Sequence, residues 1–192
     1  MKDPLRKILI TGGCSGIGRS LVDYFLSKNY EGGVFDINNN LCEALKEETN
    51  GSVKTWVADV SDPQSVELAF KNAFSESFLP DILINNAGII HNEPLVNVLK
   101  KENRQHSKTS WKKVLSTNLD SVFYTTSIVV DNMIQNRRKG VVISISSICA
   151  NGNPGQSAYS ASKAGVNSLT KTWSKELGPI GIRFAAIAPG FL

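Results

Sequence analysis

The stretch KILITGGCSGIG, residues 7–18, joins an apolar run to a glycine-rich turn and then to a helical pattern. The five residues that end at Thr11 lack polar alternation, which predicts a strand buried on both faces. Gly12, Gly16 and Gly18 allow a tight turn whose backbone N–H groups can approach an anion at the start of the following helix. This context predicts a pyrophosphate-binding loop with GxxxGxG rather than GxGxxG spacing.

Short apolar runs and helical patterns alternate along the rest of the chain. The predicted strands are residues 7–11, 33–37, 53–57, 82–84, 141–145 and 182–187. The predicted helices are residues 41–48, 111–133 and 157–177, with two more that start near Ile17 and Pro63. Strand–helix alternation of this kind predicts an α/β fold, a doubly wound parallel sheet with helices on both faces. The length fits a single domain over residues 1–192.

Composition narrows the functional class further. The chain is 41% hydrophobic and 20% charged, with a net charge of +4, which fits an ordinary globular protein and excludes a disordered one. No apolar run approaches the ~20 residues of a membrane helix, so we expect no membrane partner. The three cysteines share no metal-ligand spacing, so we expect no metal site. Few cysteines and no signal-peptide pattern predict a cytoplasmic protein.

A basic run occupies residues 100–113, where six lysines and arginines accompany a single glutamate, Glu102. We interpret it as a solvated loop and helix start rather than a nucleic-acid surface, because no aromatic residue precedes Trp111 within it. It belongs to a long polar segment, residues 92–110, which loop-length statistics assign to a functional or a partly disordered loop. His91 and His106 are interpreted as loop histidines.

Asp36 lies at the end of the second predicted strand, 18 residues after Gly18. An acidic residue at this point can accept hydrogen bonds from the ribose hydroxyls of a dinucleotide. It would also repel a 2′-phosphate, and neither Ser15 nor Ile37 supplies a compensating positive charge. NAD(H) is therefore favoured, with NADP(H) as the alternative.

Tyr159 and Lys163 lie four residues apart, which puts the phenol and the ammonium on one helical face. A phenol near an ammonium can exchange a proton with an alcohol or a ketone. Ser146 and Ser147 end the fifth predicted strand, where α/β sheets place their active sites. Asn118 is polar within a helix interior, which favours a specific role. Each of these patterns has an alternative explanation. The spacing of Tyr159 and Lys163 can arise by chance, the serines can cap a turn, and Asn118 can be a surface residue.

Several motifs occur together in one order along the chain. They are the TGxxxGIG loop, Asp36, Asp59-Val60, Asn85-Asn86-Ala87-Gly88, Asn118, the two serines, Tyr159 with Lys163, and Pro189-Gly190. This combination resembles the short-chain dehydrogenase/reductase family. The stretch before and after Tyr159 is most similar to 3-oxoacyl-acyl-carrier-protein reductases and sugar-alcohol dehydrogenases.

The resemblance implies a Rossmann-type sheet of order 3-2-1-4-5-6 and NAD(P)(H)-dependent interconversion of a secondary alcohol and a ketone. It implies Tyr159 as general acid/base, Lys163 on the nicotinamide ribose, Ser147 on the substrate and Asn118 on a relay water. The cofactor contacts that it implies are Gly12, Cys14, Ser15, Gly16, Ile17, Gly18, Asp36, Asp59, Val60, Asn86, Ala87, Gly88, Tyr159, Lys163, Pro189, Gly190 and Leu192. It also implies a small-molecule substrate and a homodimer or homotetramer built on helices 111–133 and 157–177.

Three features depart from the family pattern. Ser147 lies 12 residues before Tyr159, and Ser146 lies 13 residues before it. Matching Ser-Ile-Cys-Ala to the family motif favours Ser147 as the catalytic serine, with a one-residue deletion in the loop that follows. The stretch between Gly88 and Asn118 is longer than usual. The sequence stops at Leu192, so we expect a domain truncated before the seventh strand, or one that lacks the family's substrate lid. A non-catalytic dinucleotide-binding protein, or an inactive fragment, is the alternative function.

Overall fold

A parallel six-stranded sheet lies at the centre of the structure, a computed structural model that describes residues 5–190. The strands are β1 (Lys7–Thr11), β2 (Glu31–Asp36), β3 (Val53–Val57), β4 (Ile82–Asn85), β5 (Gly140–Ile145) and β6 (Ile182–Ile187). Their order is β3-β2-β1-β4-β5-β6, and every neighbouring pair is parallel. The predicted doubly wound sheet and its strand order are confirmed.

Within residues 5–190, six α-helices accompany the sheet. They are α1 (Gly16–Ser27), α2 (Asn39–Glu48), α3 (Pro63–Ser75), α4 (Lys108–Leu115), α5 (Ser121–Gln135) and α6 (Ser157–Leu177). Asp62 caps α3 by accepting the N–H of Gln64, and α3 begins at Pro63, where the sequence predicts a helix start. The single helix predicted over residues 111–133 is wrong in detail, because a π-helical turn, Ser116–Asp120, separates α4 from α5.

Buried residues divide into two clusters, one on each side of the sheet. Leu9 of β1 belongs to the cluster that includes Phe70 of α3 and Met133 of α5. Ile8 and Ile10 belong to the other cluster, which the helices α1 and α2 cover. Neighbouring residues of one strand point to opposite faces, so an apolar run without alternation is what a sheet covered on both faces requires.

The chain reverses its direction of winding at β1, which pairs with β2 on one side and β4 on the other. The loops after β1 and β4 therefore leave the sheet toward opposite faces and open a crevice at the carboxyl ends of the strands. Asp36 ends β2 and Asn85 ends β4 at this same edge. Within residues 5–190, no helix has the length and apolar character to cross a membrane.

Candidate functional site

The loop after β1 is held against the end of β4 by hydrogen bonds. The Asn86 side-chain amide donates to the carbonyl oxygens of Thr11 and Gly12, both at 3.0 Å. The Thr11 hydroxyl accepts the backbone N–H groups of Asn86 and Ala87 at 3.1 Å. Gly12 has a φ of +64°, and a Cβ there would come within 2.9 Å of the Ala87 Cα. Glycine is thus required by both the backbone conformation and the close approach.

Gly18 lets the first turn of α1 pack against this loop. A Cβ at Gly18 would overlap the carbonyl oxygen of Gly12 and come within 2.6 Å of the Asn86 amide nitrogen. Ser15 is the N-cap of α1 but makes no side-chain cap bond, and the first turn of α1 holds no acidic residue. The N–H groups at this helix start remain available to an anion.

Asp36 is fixed by two backbone groups. One carboxylate oxygen accepts the N–H of Cys14 and the other the N–H of Asn38, each at 3.1 Å. The Cys14 thiol points away from the loop to Cys42, with 3.7 Å between the sulfurs. The hydrogen bond to Cys42 and burial raise the pKa of Cys14, which therefore stays a thiol. The contribution of Cys14 to this site is thus its backbone N–H, which holds the Asp36 carboxylate in place.

Most of the predicted cofactor contacts line one cavity of about 570 Å³. Its lining includes Gly12, Ser15, Ile17, Asp36, Asp59, Val60, Asn86, Ala87 and Gly88. The pattern did not single out Lys113 and Thr117, which lie at the far side of this cavity. Lys113 belongs to the run interpreted as solvated, and only the packing of α4 beside the loop after β4 brings it to the cavity.

A second cavity, of about 480 Å³, is lined by three of the four predicted catalytic residues, all except Asn118. Its lining includes Ser146, Ser147, Tyr159, Lys163, Pro189 and Gly190. Ile17, Asn86, Gly88 and Ile89 line both cavities, so the two form one continuous cleft. The predicted contact at Leu192 lies outside the described residues.

Lys163 is 5% exposed and lies beside Tyr159. Its Nζ donates to the carbonyl oxygen of Ile145 at 2.7 Å and lies 5.7 Å from the centre of the Tyr159 ring. Burial lowers the pKa of Lys163 from 10.5 to about 8. The ammonium therefore lies close enough to act on the phenol, at the end of β5.

The two serines use their hydroxyl groups differently. The Ser146 hydroxyl donates to the carbonyl oxygen of Lys163 at 3.3 Å. The Ser147 oxygen accepts the N–H of Cys149 at 3.1 Å and caps the 3₁₀ turn Ile148–Asn151. Among residues 5–190 no acceptor is recorded for the Ser147 proton. Ser147 can still donate that proton to a group in the cavity, whereas Ser146 has used its own.

Asn118 is buried inside the π-helical turn and braces the loop after β4. Its side-chain oxygen accepts the N–H of Ile89, and its side-chain nitrogen donates to the carbonyl of Ile89, both at 2.8 Å. A π-helical turn inside a helix often accompanies a functional site. The amide of Asn118 thus positions Ile89, a residue that lines both cavities.

The second cavity is also lined by residues that the sequence did not predict as site residues, among them Ile90, Asn92, Cys149 and Gln156. Asn92 and Gln156 are joined by a hydrogen bond of 2.7 Å across 64 residues of chain. No local pattern encodes such a contact, which depends on how two loops meet.

Known proteins with similar sequences belong to one family. A family model described as short chain dehydrogenase matches residues 6–192. The chain is 37% identical over 188 residues to 3-oxoacyl-[acyl-carrier-protein] reductase FabG of Thermotoga maritima, covering 96% of this chain and 73% of the relative. It is 33% identical to sorbitol-6-phosphate 2-dehydrogenase of Klebsiella pneumoniae, covering 96% and 68%.

Two solved structures are similar over nearly the whole chain. The crystal structure of gox2181 matches with a TM-score of 0.86 at 27% identity, covering 96% of this chain and 71% of that one. A 4-hydroxyisoleucine dehydrogenase complexed with NADH and succinate matches with a TM-score of 0.83 at 32% identity, covering 95% and 78%.

The burial of Lys163 makes a prediction about pH. Between its folded pKa of about 8 and its ordinary value of 10.5, the unfolded chain binds more protons at this residue than the folded chain. The free energy of unfolding of the ligand-free parent should therefore rise across this window by about 3 kcal/mol relative to Lys163→Met. Urea unfolding at pH 7.5, 9 and 10.5 measures the difference.

Lys171→Met on the exposed face of the same helix is the control. Its free energy of unfolding should differ from that of the parent by a constant amount over the same pH range. A constant difference for Lys163→Met as well would contradict the lowered pKa.

Proposed function

The chain belongs to the short-chain dehydrogenase family, an oxidoreductase family acting on CH–OH and C=O groups, and we propose that it interconverts a secondary alcohol and a ketone with Tyr159 as the general acid/base. One observation carries the proposal. A single continuous cleft has a glycine-rich phosphate loop at one end and the group of Ser147, Tyr159 and Lys163 at the other.

Family members bind NAD(P)(H), and the residues of the first cavity fit such a cofactor. The N–H groups at the start of α1 face the loop and would hold the pyrophosphate. Asp36, already fixed by two backbone N–H groups, has further lone pairs for the ribose hydroxyls. Asp59 and Val60 would flank the adenine. Bound in the reduced form, the cofactor would supply a hydride to the substrate carbonyl carbon.

Tyr159 would move the proton that balances this transfer. In the direction of reduction its phenol O–H donates to the carbonyl oxygen as negative charge develops there. The buried ammonium of Lys163 stabilises the phenolate that remains. The same groups, in the reverse order, take the proton from an alcohol.

Ser147 would orient the carbonyl, because its proton is available whereas that of Ser146 is bonded to the Lys163 carbonyl. Asn118 would act through its position in the π-helical turn. Both polar atoms of its side chain are bonded to Ile89, so a relay water would be held by its main chain.

The two named relatives act on a 3-oxoacyl thioester carrier and on a sugar-alcohol phosphate, so a small ketone or secondary alcohol is the shared chemistry. We keep the proposal of a homo-oligomer through α5 and α6. On α5, Phe123 is 53% exposed and offers apolar surface for such a contact, whereas Val129 and Met133 are buried within the chain.

Replacement of Tyr159 tests the proposed function. Tyr159→Phe should lower kcat for NADH-dependent reduction of acetoacetyl-coenzyme A by about 10³-fold, since only the transferable proton is lost. The dissociation constant for NADH should stay within about twofold. Tyr24→Phe, at an exposed tyrosine of α1, is the control. Should the parent reduce no ketone in a panel of 3-oxo thioesters, 3-oxo esters and ketose phosphates, the proposal fails.

The serine assignment gives a second comparison. Ser147→Ala should lower kcat by about 10²-fold, as loss of a hydrogen bond to a developing oxyanion does. Ser146→Ala removes an internal bond to a backbone carbonyl and should leave kcat within about threefold. Steady-state rates at saturating NADH measure both. A larger loss in Ser146→Ala would reverse the assignment.

Asp36 should decide between the two cofactors. NADH should bind at least about 10-fold more tightly than NADPH, because a 2′-phosphate would lie against the carboxylate. Asp36→Ala should narrow this ratio, and Glu43→Ala, an exposed acid on α2, should leave it unchanged. Fluorescence titration of both reduced cofactors measures the ratio. Tighter binding of NADPH by the parent would exclude the preference.

A further inference from the structure

The long polar segment between β4 and α4 is folded back on itself. Val96 and Gln105 form an antiparallel bridge, and the Asn97 N–H donates to the carbonyl of Arg104 at 2.7 Å. The His106 N–H donates to the carbonyl of Leu95 at 2.9 Å. Residues 96–105 thus form a hairpin-like excursion, and its base, residues 91–95 with 106–107, connects it to the cleft.

Glu93 lies at the centre of this base. Its carboxylate accepts the Ser107 N–H at 2.9 Å and contacts the His91 Nε2 at 3.2 Å. Its backbone carbonyl accepts the His106 Nδ1 at 3.0 Å. Its backbone N–H donates to the carbonyl of Gly155 at 2.7 Å. One residue therefore ties the two ends of the excursion together and ties both to the loop before α6.

This loop forms the wall of the second cavity. Gln156 pairs with Glu93 in a parallel bridge and donates to the Asn92 side-chain oxygen at 2.7 Å. Asn92 and Gln156 both line the cavity that holds Tyr159, which follows Gln156 by three residues. The wall consists of two chain segments that are remote in sequence, with Glu93 at their junction.

The chemistry of the junction favours a fixed wall. The hydrogen bond from the Ser107 backbone lowers the pKa of Glu93, so its carboxylate stays charged at neutral pH. The His106 side chain is 7% exposed and packs edge-on against Trp111 of α4. The other acid of the segment, Glu102, is exposed, and among residues 5–190 no hydrogen bond or ion pair is recorded for its side chain. The segment thus has one anchored carboxylate and one solvated one.

We propose that Glu93 is a positioning residue of the substrate site, which holds Asn92 and Gln156 in the cavity wall so that a bound ketone lies in register with Tyr159. The proposal rests on the proposed function, because it concerns the substrate end of the same cleft. The cofactor end is built mainly on the loops after β1, β2 and β3, so loss of Glu93 should weaken substrate binding and spare cofactor binding.

The test compares Glu93→Gln with Glu102→Gln, two isosteric changes within the same segment. Glu93→Gln should raise KM for acetoacetyl-coenzyme A by about 10-fold, since small displacements in a site have large effects on substrate binding. The kcat and the dissociation constant for NADH should stay within about twofold. Glu102→Gln should match the parent. An unchanged KM in Glu93→Gln, or equal losses in KM, kcat and NADH binding, would overturn the proposal.

Hydrogen exchange gives a readout that does not need turnover. In Glu93→Gln the uncharged amide oxygen is a weaker acceptor than the carboxylate, so the Ser107 amide should exchange about 10-fold faster than in the parent, while the amides of α5 keep their protection. His91→Ala, a change at a half-exposed residue, should raise KM and speed the exchange of the Ser107 amide, each by less than Glu93→Gln does. Unchanged Ser107 exchange would overturn the anchoring. A parent without turnover would sink the proposed function alone, and exchange would then decide the role of Glu93.

Discussion

The cleft depends on the close approach of two backbones, the turn after β1 and the turn after β4. Four hydrogen bonds join Thr11 and Gly12 to Asn86 and Ala87 at this point, and no side chain beyond hydrogen fits at Gly12 or Gly18. The approach fixes where α1 begins, and hence where its N–H groups point. It also fixes Gly88 and Ile89, from which the second cavity continues.

Much of the candidate site could be predicted from the sequence, because its parts are encoded by local patterns. A phosphate loop, an acid after β2 and a phenol–ammonium pair on one helix are local patterns, and strand–helix alternation brings their positions to one sheet edge. Contacts between residues that are remote in sequence could not be predicted from these local patterns. Nothing in the sequence around Asn118 predicts a π-helical turn or the two hydrogen bonds that its side chain makes with Ile89, 29 residues away. Glu93 and Gln156 were missed for the same reason, since each gains its importance from the other's loop.

Lys163 shows how the structure changes the meaning of a predicted residue. Helical spacing puts its ammonium near Tyr159, but spacing says nothing about burial. The structure buries Lys163 almost completely and pairs it with a neutral carbonyl, that of Ile145, rather than with a carboxylate. An ammonium in this setting is costly to keep charged, and an anion brought beside it, such as a phenolate, relieves part of that cost. Burial of the Lys163 ammonium therefore lowers the stability of the fold but strengthens the electrostatic field that this charge exerts on Tyr159.

The pairing of β1 with β4 also has a consequence for the order of folding. The hydrogen bonds that join Thr11 to Asn86 close a stretch of 75 residues, and both cavities draw their linings from each side of that junction. Contacts of such high sequence separation carry a large loop-closure entropy and form late in parallel sheets. A chain that has assembled β1, β2 and β3 alone has a glycine-rich turn but no opposing wall. Ligand capture thus requires the pairing of β1 with β4, and a nascent chain on the ribosome gains it only after β4 has emerged.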